Sequence, residues 1–364
     1  MRVLMISKAC VQGLFQRKLE EIARLGVELT VVVPPGWRDE RGWMALERVY
    51  TDGYDLRVLP MALNGNFHLH FYPRLRRIFF QSQPQVVHID EEPYNLATWH
   101  AVRLARRAGA KALFFAWQNH QRRYPPPFSW WEQDVFRHSA YAIAGNHDAI
   151  GVIRNKGYPG PAYVIPQFGV DPALYQSAQP PEEPFVIGYV GRLVPEKGVG
   201  DLLQAASRLA GAWQVRLLGD GPDKERLVSL AKMLGIADRV HFDPWMPSPQ
   251  VPGYLAQLHA LVLPSHTLPN WKEQFGRVLT EAMVSGVPVV GSDSGEIPNV
   301  IGDAGLVYPE GDVERLAAHL SDLMSQPDLW ARLAQQGKER VLAHYTQAQV
   351  AQETVRVYKE MLSS

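Results

Sequence analysis

Four charged residues offer the clearest chemistry in this 364-residue chain: Arg192 and Lys197 in "GRLVPEKG", and Glu273 and Glu281 in "KEQFGRVLTEAM". Two cations that follow Gly191 at the end of an apolar run suit a diphosphate, whose oxygens take charge-assisted hydrogen bonds. The second stretch reads as a loop that enters a helix at Gly276. Backbone N–H groups at Phe275, Gly276 and Arg277 would have no helical partners there, and the helix dipole adds about half a positive charge. Glu273 at the mouth and Glu281 further along would sit ~80° apart around the axis. Carboxylates accept hydrogen bonds from hydroxyls. Two acids astride a diphosphate therefore describe a nucleotide-sugar, with Glu273 on the sugar and Glu281 on the ribose. Spacing alone leaves a plainer reading open: two solvated helix acids, and a Lys197 that bridges to Glu196 or another neighbour.

Such residues need rigid supports, and the hydrophobic pattern predicts them. "RVLMIS" reads as a strand, "SKACVQG" as a loop, "LFQRKLEEIARLG" as a helix closed by Gly26, and "VELTVVVPP" as a second strand. This βαβ opening implies a parallel sheet. "QVVHID", "KALFFAW", "YAIAGN" and "AYVIPQFG" add strands, and "YNLATWHAVRLARRAG" a helix. "VDPALYQSAQPPEEP" has no periodicity and reads as a linker. The rhythm then restarts with "FVIGYVGR", "WQVRLLGDGP", "RVHFDPW", "ALVLPS" and "VPVVGSD" as strands between helices. The expectation is an α/β chain of two Rossmann-like, doubly wound domains: residues 1–170, a linker at 171–184, and residues 185–345. A last helix at 346–364 is expected to pack back on the first domain. Sheets of this kind bind ligands beyond the carboxyl ends of their strands, which would place the ligands in a cleft between the domains.

Composition narrows the classes. A length of 364 residues exceeds one ordinary core, and 46% hydrophobic with 20% charged residues is globular rather than disordered. Lys plus Arg and Asp plus Glu each total 37, for a formal net charge of zero. A nucleic-acid partner is not expected, because its footprint is a basic excess; any anion site must be local. The single cysteine, Cys10, excludes an internal disulfide and a CxxC metal site, and reads as buried filler. No apolar run approaches the ~20 residues of a spanning helix or the roughly 7–15 of a signal peptide, so a cytoplasmic protein is expected. Residues 66–80 mix aromatics with Arg74, Arg76 and Arg77. They read first as an amphipathic helix with a solvated face, and second as a helix in peripheral contact with an anionic membrane at its inner face.

Taken in order, "VIPQFGVD", "GYVGRLVPEKG", "LLGDGP", "LPSHTLPNWKEQFGRVLTEAMVSGVPVVGSDSGEIPNVI" and "GLVYPEGD" span most of residues 164–313. They resemble the retaining GT-B glycosyltransferases of family 4, the glycosyl transferases group 1. The resemblance implies hexosyl transfer, with retained configuration, from a nucleoside-diphosphate sugar donor to a hydroxyl of a glycan, lipid-linked saccharide or small molecule. It implies no metal and no further cofactor. By the same resemblance Arg192 and Lys197 hold the diphosphate, with Gly191 allowing close approach. Glu273 contacts the donor sugar and Glu281 the ribose. The stretch Gln274, Phe275, Gly276 and Arg277 offers amides to sugar and phosphate oxygens, and Met246 lies near the base.

The chain departs from the family pattern in places. Asn299 stands where Glu is usual, and is expected to be structural. The first-domain glycine-rich loop is reduced to "SKACVQG", with Gly13 its one glycine, so amide capture of the diphosphate from that side is weakened. The family often has a histidine after a first-domain strand; His120, preceded by Gln118 and Asn119, is the candidate sugar contact, or a polar loop residue without a role. Asp90, Glu91 and Glu92 in "HIDEEPYN" read as caps of the next helix ahead of contacts to acceptor hydroxyls, and zinc spacing is absent. Rival readings are a nucleotide-sugar epimerase or phosphorylase, a non-catalytic nucleotide-sugar binder, and a nucleotide-dependent oxidoreductase. The last would want G-x-G-x-x-G after the first strand, which residues 7–13 lack.

Overall fold

The computed structural model describes residues 1–39 and 42–364. The chain divides into two compact units, Met1–Gly169 with Gln347–Ser364, and Val170–Thr346.

In the first unit the strands are β1 (Arg2–Ile6), β2 (Glu28–Val33), β5 (Asp55–Val58), β6 (Val86–Ile89), β7 (Lys111–Ala116), β8 (Tyr141–Ala144) and β9 (Ala162–Val164); β3 (Gly36–Asp39) and β4 (Gly42–Ala45) form a separate antiparallel hairpin. The sheet order is β5-β2-β1-β6-β7-β8-β9, parallel throughout, with Met5 opposite Val31 on one side and His88 on the other. Successive side chains of a strand point to opposite faces. Val3 and Met5 accordingly enter one buried cluster, and Leu4 and Ile6 the other. Both faces are covered, which is why these strands read as unbroken apolar runs. The helix Gln347–Ser363 covers the Val3 face with Val350, Val355, Tyr358 and Met361. Each such burial stabilises by about 1.5–3 kcal/mol. Four of them match the net stability of an ordinary domain, so this helix is part of the first unit's core. His88 Nδ1 lies 2.6 Å from the Tyr358 hydroxyl, and Lys111 Nζ donates to the Met361 carbonyl at 2.7 Å. Cys10 is fully buried here, and burial pushes its thiol up to about 12.

The second unit holds β10 (Phe185–Val190), β11 (Trp213–Leu218), β12 (Val240–Asp243), β13 (Ala260–Leu263), β14 (Val289–Ser292) and β15 (Leu306–Tyr308). Their order is β12-β11-β10-β13-β14-β15, again all parallel. In each sheet the winding reverses beside the first strand, between β1 and β6 and between β10 and β13. Ligand crevices form at such reversals, outside the carboxyl ends.

Two expectations are corrected. Residues 171–184 lie within the second unit: Tyr175 and Ala178 pack on its core, and Ala178 N donates to the Ser285 carbonyl at 2.7 Å. The prolines limit regular structure there to a single turn, Pro172–Leu174, but the apolar side chains still find a surface. The helix expected over 66–80 is confined to Leu75–Ser82, with Leu75, Ile78 and Phe79 buried and Arg76, Arg77 and Phe80 exposed. Asn66 explains the late start, since its side chain accepts from the amides of His68 and Leu69 at 3.1 and 3.0 Å and shapes a turn instead.

The "LLGDGP" turn gains a purpose from its neighbours. Gly219 has φ +147°, and a Cβ there would stand 1.9 Å from the Gly191 carbonyl oxygen. This approach lets Leu193 N donate to the Asp220 carbonyl at 2.9 Å and Asp223 N to the Leu193 carbonyl at 3.0 Å, which fixes the loop after β10. Gly219→Ala should therefore destabilise the second unit by about 1–3 kcal/mol, lowering the melting temperature by about 2–4 °C per kcal/mol. Gly253→Ala, where a Cβ meets nothing within 4 Å, should leave it unchanged or slightly raised. Parallel thermal melts of the two variants make the comparison.

Candidate active site

Arg192 and Lys197 follow β10, and Ser265 and Glu273 follow β13, so all four come from the two strands that flank the second reversal. Lys197 Nζ lies 2.5 Å from Glu273 Oε2, which also accepts from Ser265 Oγ at 2.9 Å. The Trp271 ring lies 5.0 Å from the same ammonium. Glu273 is only 8% exposed, and its side chain has the ion-pair and hydrogen-bond partners that a carboxyl group needs where water is scarce. Its main chain is seated as firmly. Glu296 N donates to the Glu273 carbonyl at 3.1 Å, and a Cβ on Gly295 would stand 2.1 Å from that oxygen. Further out, Glu310 of "GLVYPEGD" accepts from Thr267 N and Oγ1, each at 2.5 Å, and His266 Nε2 lies 2.6 Å from Asp201 Oδ2. Sequence reasoning missed Ser265, Trp271, Gly295 and Glu296. All four lie inside the quoted motif, but only the folded loop shows that they converge on Glu273.

The helical geometry expected of the two acids does not hold. The helix is Arg277–Val284, preceded by Gly276 in the left-handed conformation at its N-cap, and no side chain caps it. Glu273 lies ahead of this start, so the loop sets its direction. Glu281 is in the helix and pairs with Arg277 Nε at 2.8 Å. Both also meet the Tyr175 hydroxyl, whose pKa is driven well up by burial first and Glu281 second. Lys197 likewise pairs with Glu273 rather than Glu196. Arg192 is exposed, and its carbonyl accepts from the Tyr189 hydroxyl at 2.7 Å; Glu273 is close enough to that hydroxyl to raise its pKa, after burial. The Gly191 amide is engaged, donating to the Leu218 carbonyl at 3.0 Å. Gln274 is exposed, Phe275 meets Tyr345 edge-on at 5.7 Å, and Met246 is half-buried against the core. Asn299 is at the surface, where its carbonyl accepts from Arg340 Nη2 at 2.6 Å.

The first unit has its own cluster at the β1–β6 reversal. Lys8 pairs with Glu91 and lies 4.9 Å from the Phe67 ring centre and 5.5 Å from that of Trp37. His70 Nε2 stands 3.5 Å from Glu91 Oε1. Burial works to raise the Glu91 carboxyl, but Lys8 and His70 outweigh it and hold it at about 2. Glu92 Oε1 accepts from the amides of Trp117 at 2.8 Å and Gln118 at 2.9 Å. Its Oε2 is buried with no hydrogen-bond partner among the described residues, and burial pushes the group up to about 7. Asp90 accepts from Ser7 Oγ at 2.6 Å and Gln167 Nε2 at 2.8 Å. The acids therefore do not cap the next helix, Leu96–Arg107, as expected; they gather four segments, at Ser7–Lys8, His70, Trp117–Gln118 and Gln167. Glu92 thereby fixes the segment leading to Asn119, which is buried, and His120, which is half-buried. Gly13 does not present its amide to a ligand, since that amide donates to Glu47 Oε2 at 2.6 Å. Among the described residues no group of three or more His, Cys, Asp or Glu is placed to hold a metal ion.

Residues 15–166 match the family described as glycosyl transferase 4-like domain, and residues 171–340 that of glycosyl transferases group 1. The chain belongs to the group 1 glycosyl transferases and has their GT-B fold. Among curated relatives, 2-deoxystreptamine N-acetyl-D-glucosaminyltransferase of Streptomyces fradiae is 31% identical over 54% of this chain and 48% of its own. The MMP alpha-(1->4)-mannosyltransferase of Mycolicibacterium hassiacum is 32% identical over 56% and 50%. The chain thus spans about half the length of the curated relatives it matches. Among solved structures, a glycosyltransferase from Rickettsia africae has a TM-score of 0.75 at 17% identity, covering 99% of this chain and 98% of its own. Anabaena Alr3699/HepE in complex with UDP has a TM-score of 0.73 at 17% identity, covering 99% and 100%.

The Glu92 environment in this group 1 protein gives a pH prediction. A carboxyl held above its ordinary range keeps its proton when folded and loses it when unfolded. Its stabilising contribution is full below pH ~4.5 and is lost as pH rises through about 7. Glu92→Gln preserves an oxygen for both amides and cannot ionise. Between pH 5 and 8 the variant should gain on wild type by up to roughly 3 kcal/mol, read by urea unfolding at each pH. A difference that does not change with pH would refute this account of Glu92.

Proposed function

We propose that the chain is a retaining glycosyltransferase that moves a hexosyl group from a nucleoside-diphosphate sugar to a hydroxyl acceptor. The observation that carries the reading is the Lys197–Glu273 pair at the second sheet's reversal, followed directly by an uncapped helix mouth. Cation, carboxylate and backbone amides are the three partners that a sugar diphosphate needs. The relatives' names support it, being an N-acetylglucosaminyltransferase and a mannosyltransferase, and Anabaena Alr3699/HepE was also solved with UDP-glucose.

The hard step is the charge that builds on the departing diphosphate. Arg192, Lys197 and the amides of Gln274, Phe275, Gly276 and Arg277 are assigned to stabilise it, with Gly191 leaving room for the phosphates. An ammonium has three donors, so Lys197 can keep Glu273 and still serve a phosphate oxygen. Glu273 favours the positive sugar centre and orients the donor hydroxyls. Glu281 takes the ribose hydroxyls, and Met246 lies against the base. On this reading two cations and a helix mouth supply the positive charge without a metal. Asn119 and His120 are assigned to sugar hydroxyls, with Asp90, Glu91 and Glu92 holding the loops that present them. Loss of one leaving-group contact should cost about 2.7–4 kcal/mol of barrier, or 10²–10³ in rate.

A thermal-shift screen of nucleoside-diphosphate sugars on wild type and Arg192→Ala tests the donor. The matching sugar at 100 times its Kd should stabilise wild type by about 2.7 kcal/mol, and the variant, altered at an exposed side chain, should lose that shift. Proton NMR of the released or transferred sugar should then show the donor's own anomeric configuration first. No shift with any donor sinks the donor assignment, the inverted anomer sinks retention, and binding without sugar release leaves a non-catalytic binder.

A further inference from the structure

An open groove of about 900 Å³ crosses the first unit, and Arg2, Arg76, Arg107 and Lys111 line it together with Phe80 and Leu362. Among the described residues no Asp or Glu lines it. In a chain whose formal net charge is zero, four cations without a lining acid are a local excess. Two of them are held in place without being neutralised: Arg2 Nε donates to the Gln83 carbonyl at 2.8 Å, and Lys111 Nζ to the Met361 carbonyl. Phe80 is 82% exposed, the highest value for a large apolar side chain among the described residues. Its neighbours on the same helix, Leu75, Ile78 and Phe79, are buried. Phe80 therefore stands outward, beside the cations, with no packing role.

The groove is separate from the candidate active site. Arg2 opens β1 and Lys111 opens β7, so it lies at the amino ends of parallel strands. Lys8, Asp90–Glu92 and the 117–120 loop follow the carboxyl ends, about 16 Å away by strand rise.

We propose that this groove docks the first unit on an anionic phospholipid bilayer, with Arg2, Arg76, Arg107 and Lys111 on lipid phosphates and Phe80 inserted at the interface. A bilayer offers a plane of phosphates above an apolar layer, which matches cations beside a protruding ring. A soluble polyanion such as RNA satisfies the cations and gives Phe80 no apolar layer to enter. The proposal goes beyond the glycosyl-transfer reading, and its test uses neither donor nor acceptor.

The full chain is sedimented with vesicles of pure phosphatidylcholine or of phosphatidylcholine with 30% phosphatidylglycerol, in low and high salt. Wild type should partition at least tenfold more strongly onto the anionic vesicles, and lose this in high salt. Each cation near such a surface is worth about fivefold. Arg76→Glu with Arg107→Glu should therefore reduce anionic binding more than tenfold, to the neutral-vesicle level. Phe80→Ser should weaken it severalfold while leaving the salt dependence intact. All three changes are at exposed side chains, and unchanged melting temperatures confirm the fold; the Phe80 variant stands as an independent arm. Equal partition onto both vesicle types, undiminished binding by the double variant, or tight RNA binding without vesicle binding overturns the proposal.

Discussion

The second unit is organised around the need to give one buried acidic side chain its partners in a nearly dry place. Glu273 needs Lys197 and Ser265 at hydrogen-bond distance, because removing one partner of a buried pair typically costs roughly 3–5 kcal/mol. Lys197 arrives from β10 and the other two from β13, so these strands must be neighbours. The register Ile187 opposite Ala260 and Gly188 opposite Leu261 makes them so. The remaining ties are consequences. Gly295 and Glu296 hold the Glu273 main chain, Glu310 anchors Thr267, and the Gly219 turn fixes the segment that delivers Arg192 and Lys197.

The first unit repeats the device at the same topological position. Lys8 follows β1 and Glu91 follows β6, as Lys197 follows β10 and Glu273 follows β13. At a winding reversal the flanking helices leave in opposite directions, and the gap admits polar side chains from both strand ends. Low polarity then demands that a charge entering the gap be matched. The two pairs differ in depth. Side-chain exposures are 15% and 3% for Lys8 and Glu91, against 20% and 10% for Lys197 and Glu273. His70 and two aromatic rings enclose the first pair further, so the second is the one better placed to trade contacts with a ligand.

The fold was legible because both sheets are parallel and doubly covered, which leaves continuous apolar strands between periodic helices. The candidate residues could be picked from the sequence, but not how they meet. Lys197 and Glu273 are 76 residues apart, and only strand order makes them partners. The helix entry at Gly276 was readable, but the angle between Glu273 and Glu281 assumed helical backbone across the left-handed Gly276, which the spacing alone does not reveal. Asp90, Glu91 and Glu92 looked like caps because acids ahead of a helix usually are; the amides of Trp117 and Gln118, on the next strand's loop, claim Glu92 instead. The proline-rich stretch looked like a linker because local composition carries no record of Tyr175 and Ala178 finding a core.

On the glycosyl-transfer reading, a paired cation is also a more selective one. A bare phosphate that drew Lys197 away from Glu273 would leave the carboxylate under-satisfied in a site where that is expensive. A sugar diphosphate can bring oxygens to the ammonium's remaining donors and hydroxyls to the carboxylate together, so the pair is kept and neither group is stranded. Arg192, exposed at the same loop, can meet the second phosphate. The groove at the amino ends of the first sheet follows the opposite logic. Among the described residues no acid lines it beside the cations, so any extended anionic surface is attracted by charge alone, and shape selects little. One electroneutral chain thus holds two kinds of positive site, and whether an acid stands beside the cation decides which is discriminating.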